Sequence, residues 1–321
     1  MKQQDKNWSD YWQNEGVDGE VFVNKQGGRH PFLAEYWQQQ FSTQKPGAKI
    51  IDIASGAGSI YSHLPSDHSF ELHAADISGA ALDLLRQRIP RTITHVCPAT
   101  SIPLSDNSFD FVVSQFGIEY AGIDAFAEAG RLVQPSGQLS VLCHYQDGYI
   151  DARNQRMLEG AKIAKYSNFV SDARDMVTAA FNVADAKNQS LDQHLGQSAE
   201  NANATQFQDN FIASQQTLEN AIKNCPEGIH AHLYNGFKQL FERRSAYDLA
   251  DITHWLEDMS ADIEKNILRL TEMCHAASSK AVIKQIVLRL ADQNFIGITQ
   301  EPVILPDHKL PVAWAITAFK V

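Results

Sequence analysis

Residues 50–60, IIDIASGAGSI, constrain the fold of this chain more than any other segment. A run of β-branched apolar residues leads into Asp52 and then into Gly56 and Gly58, which predicts a buried strand that ends in a tight bend. Because glycine has no Cβ, a ligand can approach the backbone of such a bend and meet its free N–H groups. Tyr61 stands where the dinucleotide fingerprint G-x-G-x-x-G requires its third glycine, so the pattern for a pyrophosphate is incomplete.

Short apolar runs alternate with helical stretches from residue 45 to residue 149. We expect the first helix of this series to begin near Ser59, directly after the bend. Strand-like sequence returns at 294–321, where two apolar runs flank a segment that contains prolines. Alternating strands and helices predict a parallel sheet with helices on both faces, and therefore an α/β domain formed by residues 45–149 and 294–321.

The sequence between these two parts, residues 150–293, loses its strand patterns and predicts a large helical insertion. Apolar residues recur at steps of one, three or four from Ile252 to Met273, which gives one apolar stripe along a helix. Residues 184–210 are polar and weakly periodic, so we expect a loop there. The insertion could form a lid over an acceptor site, or its stripe could pair with a second copy in a homodimer. Aromatic residues at near-helical spacing in residues 1–44 predict an N-terminal helical segment that packs against the sheet.

Composition limits the class of protein. The formal net charge is -11, which argues against a general nucleic-acid binder because phosphate contacts need a basic face. The 4 cysteines are scattered without CxxC or another metal-site spacing, so we predict reduced thiols and no metal site. The sequence has neither an N-terminal apolar signal region nor a run of about 18 apolar residues. We therefore expect a cytoplasmic protein that does not enter the membrane.

Three further motifs follow the bend in order: HAADIS at 73–78, IPLSDNSFDFVVSQFGIEY at 102–120 and AEAGRLVQPSGQLSVLCH at 127–144. Together with the bend they resemble the class I S-adenosylmethionine-dependent methyltransferases, whose first motif has the form acid-x-Gly-x-Gly-x-Gly. The resemblance covers residues 45–145, and the two C-terminal strands match the sixth and seventh strands of that family. It implies a Rossmann-like seven-stranded sheet, mostly parallel with the last strand antiparallel, and S-adenosylmethionine as the cofactor. It also implies that the N-terminal helical segment, residues 1–44, covers the cofactor site.

The resemblance also implies roles for individual residues at the ends of the strands. Asp52 would orient the amino end of the methionine moiety, Asp76 would accept hydrogen bonds from the ribose hydroxyls, and Ile77 would pack on the adenine. The bend would expose backbone to the methionine moiety, the loop after the third strand would meet the adenine edge, and the end of the fourth strand would lie near the sulfonium. The implied cofactor-binding residues are Asp52, Ala54, Ser55, Gly56, Gly58, Asp76, Ile77, Ala99, Thr100, Ser114 and Gln115.

Two positions depart from the family pattern. Ala54 stands where the first glycine is usual, which a methyl group tolerates if φ there stays negative. Pro98 replaces an acid that often bonds the adenine amino group, and proline offers neither a carboxylate nor an N–H. These departures keep open a degenerate protein that binds S-adenosylmethionine or S-adenosylhomocysteine without catalysis.

Methyl transfer asks little of side chains, because the sulfonium is already electrophilic and alignment of the acceptor supplies much of the rate. A base matters only for a protonated acceptor. His144, Glu119 and Tyr120 are the candidates, since they follow the fifth and fourth strands at the edge where ligands bind, although each could equally be structural. We predict methyl transfer to a small molecule, with a non-catalytic binder and an NAD(P)-dependent Rossmann oxidoreductase as the alternatives.

Overall fold

The computed structural model describes residue 12, residues 30–189 and residues 197–321, except for the side chains of residues 184–204. Seven strands of the described residues form one sheet. They are β1 (Lys49–Ile53), β2 (Glu71–Asp76), β3 (Ile93–Val96), β4 (Phe109–Gln115), β5 (Val133–His144), β6 (Phe295–Val303) and β7 (Ala313–Lys320).

The sheet has the order β3-β2-β1-β4-β5-β7-β6. Strands β1 to β5 pair in parallel, whereas β7 pairs antiparallel with both β5 and β6. The predicted seven-stranded α/β sheet with an antiparallel last strand is confirmed. The strand order reverses between β1 and β4, and in such sheets ligands bind beyond the carboxyl ends of the strands at the reversal. We call this edge of the sheet the ligand edge.

The helices of the described residues follow in chain order. They are α1 (Pro31–Ser42), α2 (Gly79–Arg88), α3 (Ile123–Leu132), α4 (Tyr149–Tyr166), α5 (Phe169–Gln189), α6 (Gln197–Asn224), α7 (Ile229–Glu242), α8 (Leu249–Ala276) and α9 (Lys280–Ala291). Several begin with a sequence-encoded cap. His30 caps α1 and Pro31 occupies its first turn, while the Ser78 hydroxyl accepts the Ala81 N–H at the start of α2.

Both faces of the sheet are buried, which explains why its parallel strands have continuous apolar runs. On one face, Ile51 and Val112 pack in the same core as Ile286 of α9. On the other face, Ile50 and Phe111 pack with the aromatic residues of α1. Helices on both faces are therefore confirmed, and they hold the strand ends of the ligand edge in place.

The chain divides into two compact units: Met1–Ala152 with Met273–Val321, and Arg153–Glu272. The second unit lies within the predicted insertion 150–293, and its own core includes the apolar stripe predicted along α8. Helices α5 and α6 occupy most of 184–210, where we expected a loop, and residues 190–196 lie outside the described part. None of the described helices combines the length and apolar character that a membrane crossing requires.

The prediction of a helix from about Ser59 is wrong, because only a single 3-10 turn, Ile60–His63, follows the glycine bend. The reason is Pro65, because a residue that precedes proline is pushed out of the helical region. Leu64 accordingly has ψ 145 and ends the turn. The bend is therefore followed by a short turn and not by the N-terminus of an α-helix.

Candidate functional site

The glycine bend, residues 54–58, follows β1 at the ligand edge. Gly56 and Gly58 have φ +51 and +81, which glycine adopts without strain. Ala54 also has a positive φ, 55, so the condition under which we expected its methyl group to be tolerated, a negative φ, is not met. Its methyl group fits because the neighbouring residue is Gly117, where an added Cβ would stand only 2.8 Å from the Ala54 Cβ. The missing glycine of the motif is compensated by a glycine after β4.

The bend is tied to the end of β2 by the carboxylate of Asp76. One carboxylate oxygen accepts the Gly56 N–H at 2.8 Å, and the other accepts the Ser78 N–H at 2.8 Å. A carboxylate has about four lone-pair sites, so a single Asp76 side chain can hold both of these backbone groups and still belong to a ligand site. The glycine bend and the end of β2, which we expected to bind opposite ends of one cofactor, are therefore in direct contact.

Asp52 ends up fully buried beside this carboxylate. Neither of its side-chain oxygens has a hydrogen-bond partner among the described residues. Burial raises the pKa of the Asp52 carboxyl well above its usual value, and the negative charge of Asp76 raises it further. A buried carboxyl without partners is costly, which suggests that its partner is a group from outside the chain.

Two other predicted residues of the edge have hydroxyl groups with contrasting environments. The Ser55 hydroxyl is buried without a hydrogen-bond partner among the described residues, so it can still meet a ligand. The Ser114 hydroxyl donates to the Ile53 carbonyl at 2.7 Å and accepts the Ile118 N–H at 3.3 Å. The geometry favours a supporting role for Ser114, between β1 and the chain after β4, rather than direct contact with a sulfonium.

The remaining predicted cofactor-binding residues follow the ends of β2 and β3. Ile77 and Ala99 are half-buried and Thr100 is exposed. The loop after β3 is joined to β2 by the Cys97 N–H, which donates to the Asp76 carbonyl at 3.0 Å. The structure therefore brings the predicted adenine-side residues to the same edge as Asp76.

Sequence reasoning missed a chain of side chains behind the bend. The Trp37 indole donates to the Gln115 amide oxygen at 2.5 Å, and the Gln115 amide nitrogen donates to the Ser59 hydroxyl at 3.1 Å. Gln115 therefore links α1 to the bend. The only sequence signal for this chain was Trp37 in a stripe of aromatic residues, and such a stripe is equally typical of core packing.

The N-terminal segment contributes one described residue to the site. A Cβ added to Gly56 would stand 2.5 Å from a ring carbon of Trp12, so the indole lies directly over the bend. The rest of residues 1–29 lies outside the described part. The predicted covering role of residues 1–44 thus stays a proposal, with Trp12 as its structural support.

The three candidate bases gather at the ends of β4 and β5. His144 is fully buried, and Glu119 Oε1 accepts both its backbone N–H at 2.9 Å and its Nδ1–H at 2.7 Å. This bond places the proton on Nδ1 and leaves the lone pair on Nε2, which has no partner among the described residues. The rings of Phe116 and Tyr120 flank the imidazole at 4.8 and 5.9 Å between centroids. An oriented imidazole with an unused lone pair is suited to accept a proton.

The donor set of the edge fits S-adenosylmethionine. The fit rests on one observation: the buried carboxyl of Asp52, which has no hydrogen-bond partner among the described residues, suits an ammonium or sulfonium group. The carboxylate of Asp76 at the end of β2 is the type of acceptor that suits a ribose diol.

Residues 51–141 match a family model described as a methyltransferase domain. This match, together with the strand order and the antiparallel β7, identifies a class I S-adenosylmethionine-dependent methyltransferase domain in the chain. The family and the cofactor predicted from the motifs are confirmed.

Curated relatives resemble the same part of the chain. A demethylmenaquinone methyltransferase of Renibacterium salmoninarum is 34% identical over 98 residues, which are 30% of this chain and 41% of that protein. A ubiquinone/menaquinone biosynthesis C-methyltransferase of Shewanella oneidensis is 32% identical over 126 residues, 36% of this chain and 49% of that protein. An uncharacterized methyltransferase of Schizosaccharomyces pombe is 26% identical over 121 residues, with 37% and 48% covered. The chain spans about half the length, or less, of these relatives.

Two solved structures are similar at lower identity. A methyltransferase of Haloferax volcanii, solved with the activator Trm112, has a TM-score of 0.38 and 17% identity over 46% of this chain and 63% of that chain. A geranyl diphosphate C-methyltransferase of Streptomyces coelicolor has a TM-score of 0.37 and 16% identity over 44% and 65%.

The buried carboxyl of Asp52 predicts a pH-dependent loss of stability. A carboxyl whose pKa is raised by folding contributes stability that is complete below its unfolded pKa and is lost as pH rises through its folded pKa. Asp52→Asn removes this titration. Between about pH 4 and pH 8, the variant should therefore lose less unfolding free energy than the unaltered protein, by on the order of 1 kcal/mol or more.

Urea unfolding at a series of pH values checks this expectation. Asp67→Asn, at an exposed carboxyl, is the matched control and should follow the unaltered protein at every pH. Parallel pH profiles for Asp52→Asn and the unaltered protein would show that Asp52 is not the strained group.

Proposed function

We propose that the chain transfers the methyl group of S-adenosylmethionine to a small-molecule acceptor. The observation that carries this proposal is the joined pair of acidic strand ends. Asp52 is buried without a hydrogen-bond partner among the described residues, and Asp76 accepts the Gly56 N–H of the bend that follows β1. A cationic amino acid with a ribose attached could pair with Asp52 through its ammonium group and bond Asp76 through its ribose hydroxyls.

The residues divide the work of binding and orientation. When bound, the cofactor supplies an electrophilic methyl group on a sulfonium. Asp52 would ionise and pair with the ammonium group, which fixes the methionine end, and Asp76 would hold the ribose. The Trp37 and Gln115 chain keeps the bend in position behind the ligand. Alignment of this kind can supply most of the rate of a methyl transfer.

A small acceptor is supported by charge and by similarity. The net charge of -11 disfavours a polyanionic acceptor such as nucleic acid. The similar proteins of Renibacterium and Shewanella are named for menaquinone or ubiquinone biosynthesis, which points to organic acceptors of modest size.

A cytoplasmic location is supported by the absence of any disulfide among the 4 cysteines. A homodimer through the helical insertion stays a prediction.

Calorimetric titration with S-adenosylhomocysteine tests the cofactor site. The unaltered protein should bind it and should not bind NADH. Asp76→Ala should weaken binding by about 1 to 3 kcal/mol, which is roughly 5- to 150-fold, because charged hydrogen bonds to the ribose are lost and the bend loses its tether. Asp83→Ala, an exposed acid on α2, should bind as the unaltered protein does. Binding of NADH alone, or an unchanged affinity in Asp76→Ala, would refute the placement.

The oriented imidazole of His144 is proposed as the base for an acceptor that carries an ionisable proton. Its Nε2 lone pair would take the proton while Glu119 stabilises the imidazolium that forms. With an active acceptor in hand, His144→Gln should lower kcat by roughly 100-fold or more while KM changes little. The affinity for S-adenosylhomocysteine should stay as it was. An unchanged kcat in the variant would assign His144 to structure alone.

A further inference from the structure

A second cluster of ligating side chains lies at the ligand edge, away from the glycine bend. His30 comes from the start of α1, and Asp307 and His308 come from the turn between β6 and β7. One donor atom of each residue lies within 4.8 Å of the donor atoms of the other two. We propose that His30, Asp307 and His308 bind a divalent first-row transition-metal cation of the Zn²⁺ type.

The fold places the three residues together at the ligand edge of the sheet. In the register of the sheet, His144 at the end of β5 is opposite Ala313, and Ala313 is opposite Val303. The turn 304–312 therefore extends from the ligand edge. The direction of α1 follows from two hydrogen bonds to β5: the Tyr36 hydroxyl bonds Ser140, and Gln44, just after the helix, bonds Gln138. The start of α1 therefore lies towards the ligand edge.

The turn that carries two of the ligands is anchored. Leu305 and Val312 are buried in the core below it, and the Tyr149 N–H donates to the Pro311 carbonyl at 2.8 Å. The Tyr149 ring also lies edge-on to the His308 imidazole, with 4.2 Å between centroids. Ligands on an anchored turn start close to a productive geometry, which is what a metal site requires.

His308 would bind the ion through Nδ1. This nitrogen is 2.7 Å from Asp307 Oδ1, so the imidazole and the carboxylate already face one another as two ligands of one ion do. With the ring proton on Nε2, the Nδ1 lone pair is directed at the ion and Asp307 is the neighbouring ligand. The Asp307 side chain is half-exposed, so it can shift to make room for the ion.

His30 requires one rearrangement. Its Nδ1 accepts the Phe32 N–H at 3.2 Å as the cap of α1, so the proton of the neutral ring lies on Nε2. Ligation through Nε2 moves this proton to Nδ1 and gives up the hydrogen bond with the Phe32 N–H.

The donor set selects the class of cation. Two imidazoles and one carboxylate suit Zn²⁺, Co²⁺ and Ni²⁺, whereas Mg²⁺ and Ca²⁺ prefer oxygen ligands alone. Donors on one Zn²⁺ lie about 2.0 to 2.2 Å from the ion, so side-chain shifts of about 1 Å would close the present triangle. Three protein ligands leave a fourth position open, and an open position at this edge can bind an oxygen or nitrogen atom of an exogenous ligand.

Titration of the untagged, chelator-treated full chain with Co²⁺, read by visible absorption, tests the proposal. We expect saturation at one equivalent, displacement of Co²⁺ by Zn²⁺, and no competition from Mg²⁺. His308→Ala should lower the affinity at least about tenfold, since even loss of an orienting partner costs this much. His254→Ala is the matched control, because His254 also faces an aspartate, Asp258, but has no second histidine beside it.

Two further measurements keep the test decisive if a variant is poorly folded. Zn²⁺ should raise the Tm of the unaltered protein and of His254→Ala but not of His308→Ala, and His30→Gln offers a second removal of a ligand. S-adenosylhomocysteine binding without metal should be the same in all variants, so a failure of the cofactor proposal would be seen separately. Absence of saturable Co²⁺ binding up to about 1 mM, the weak end of specific binding, would overturn the proposal. Equal binding by His308→Ala and the unaltered protein would also overturn it.

Discussion

The hydrogen bond from the Gly56 N–H to the Asp76 carboxylate is the interaction on which the site depends. It joins the bend after β1 to the end of β2 at 2.8 Å, and the second oxygen of the same carboxylate holds the start of α2 through Ser78. Other bonds support the bend, since the Ser55 N–H donates to the Ala75 carbonyl at 3.2 Å and Gln115 donates to the Ser59 hydroxyl, but the Asp76 carboxylate connects the bend to the start of α2 as well. Two strand ends thereby act as one rigid binding element.

The same edge contains several costly features of the α/β unit. Asp52 is a buried carboxyl without a hydrogen-bond partner among the described residues, and Ala54 and Phe116 are non-glycine residues with positive φ. Each such backbone conformation costs on the order of 1 to 3 kcal/mol, and clusters of them are typical of functional sites. All three lie within or directly after β1 and β4, on either side of the reversal in strand order. We infer that the fold tolerates this strain because the cores on both faces of the sheet are continuous.

The sheet could be predicted because each strand is a continuous apolar run and each motif marks a strand end. The conformation of Ala54 could not, since it depends on Gly117, a contact between two different loops. The Ser114 hydroxyl was expected beside the sulfonium, yet its backbone partners are visible only once β1 and β4 are paired. The cluster of His30 and His308 was missed for a similar reason: its members come from opposite ends of the chain, and no short spacing links them.

Burial and the charge of Asp76 raise the pKa of Asp52, so an ammonium group that binds beside this carboxyl should lower its pKa and release a proton. Calorimetry of S-adenosylhomocysteine binding, in buffers of different ionisation enthalpy between about pH 5 and pH 8, measures this release. We expect binding to release a proton from the protein, most strongly below the pKa of Asp52 in the cofactor-free protein, and Asp52→Asn to abolish this release. Binding with the same proton exchange in both proteins would contradict this expectation.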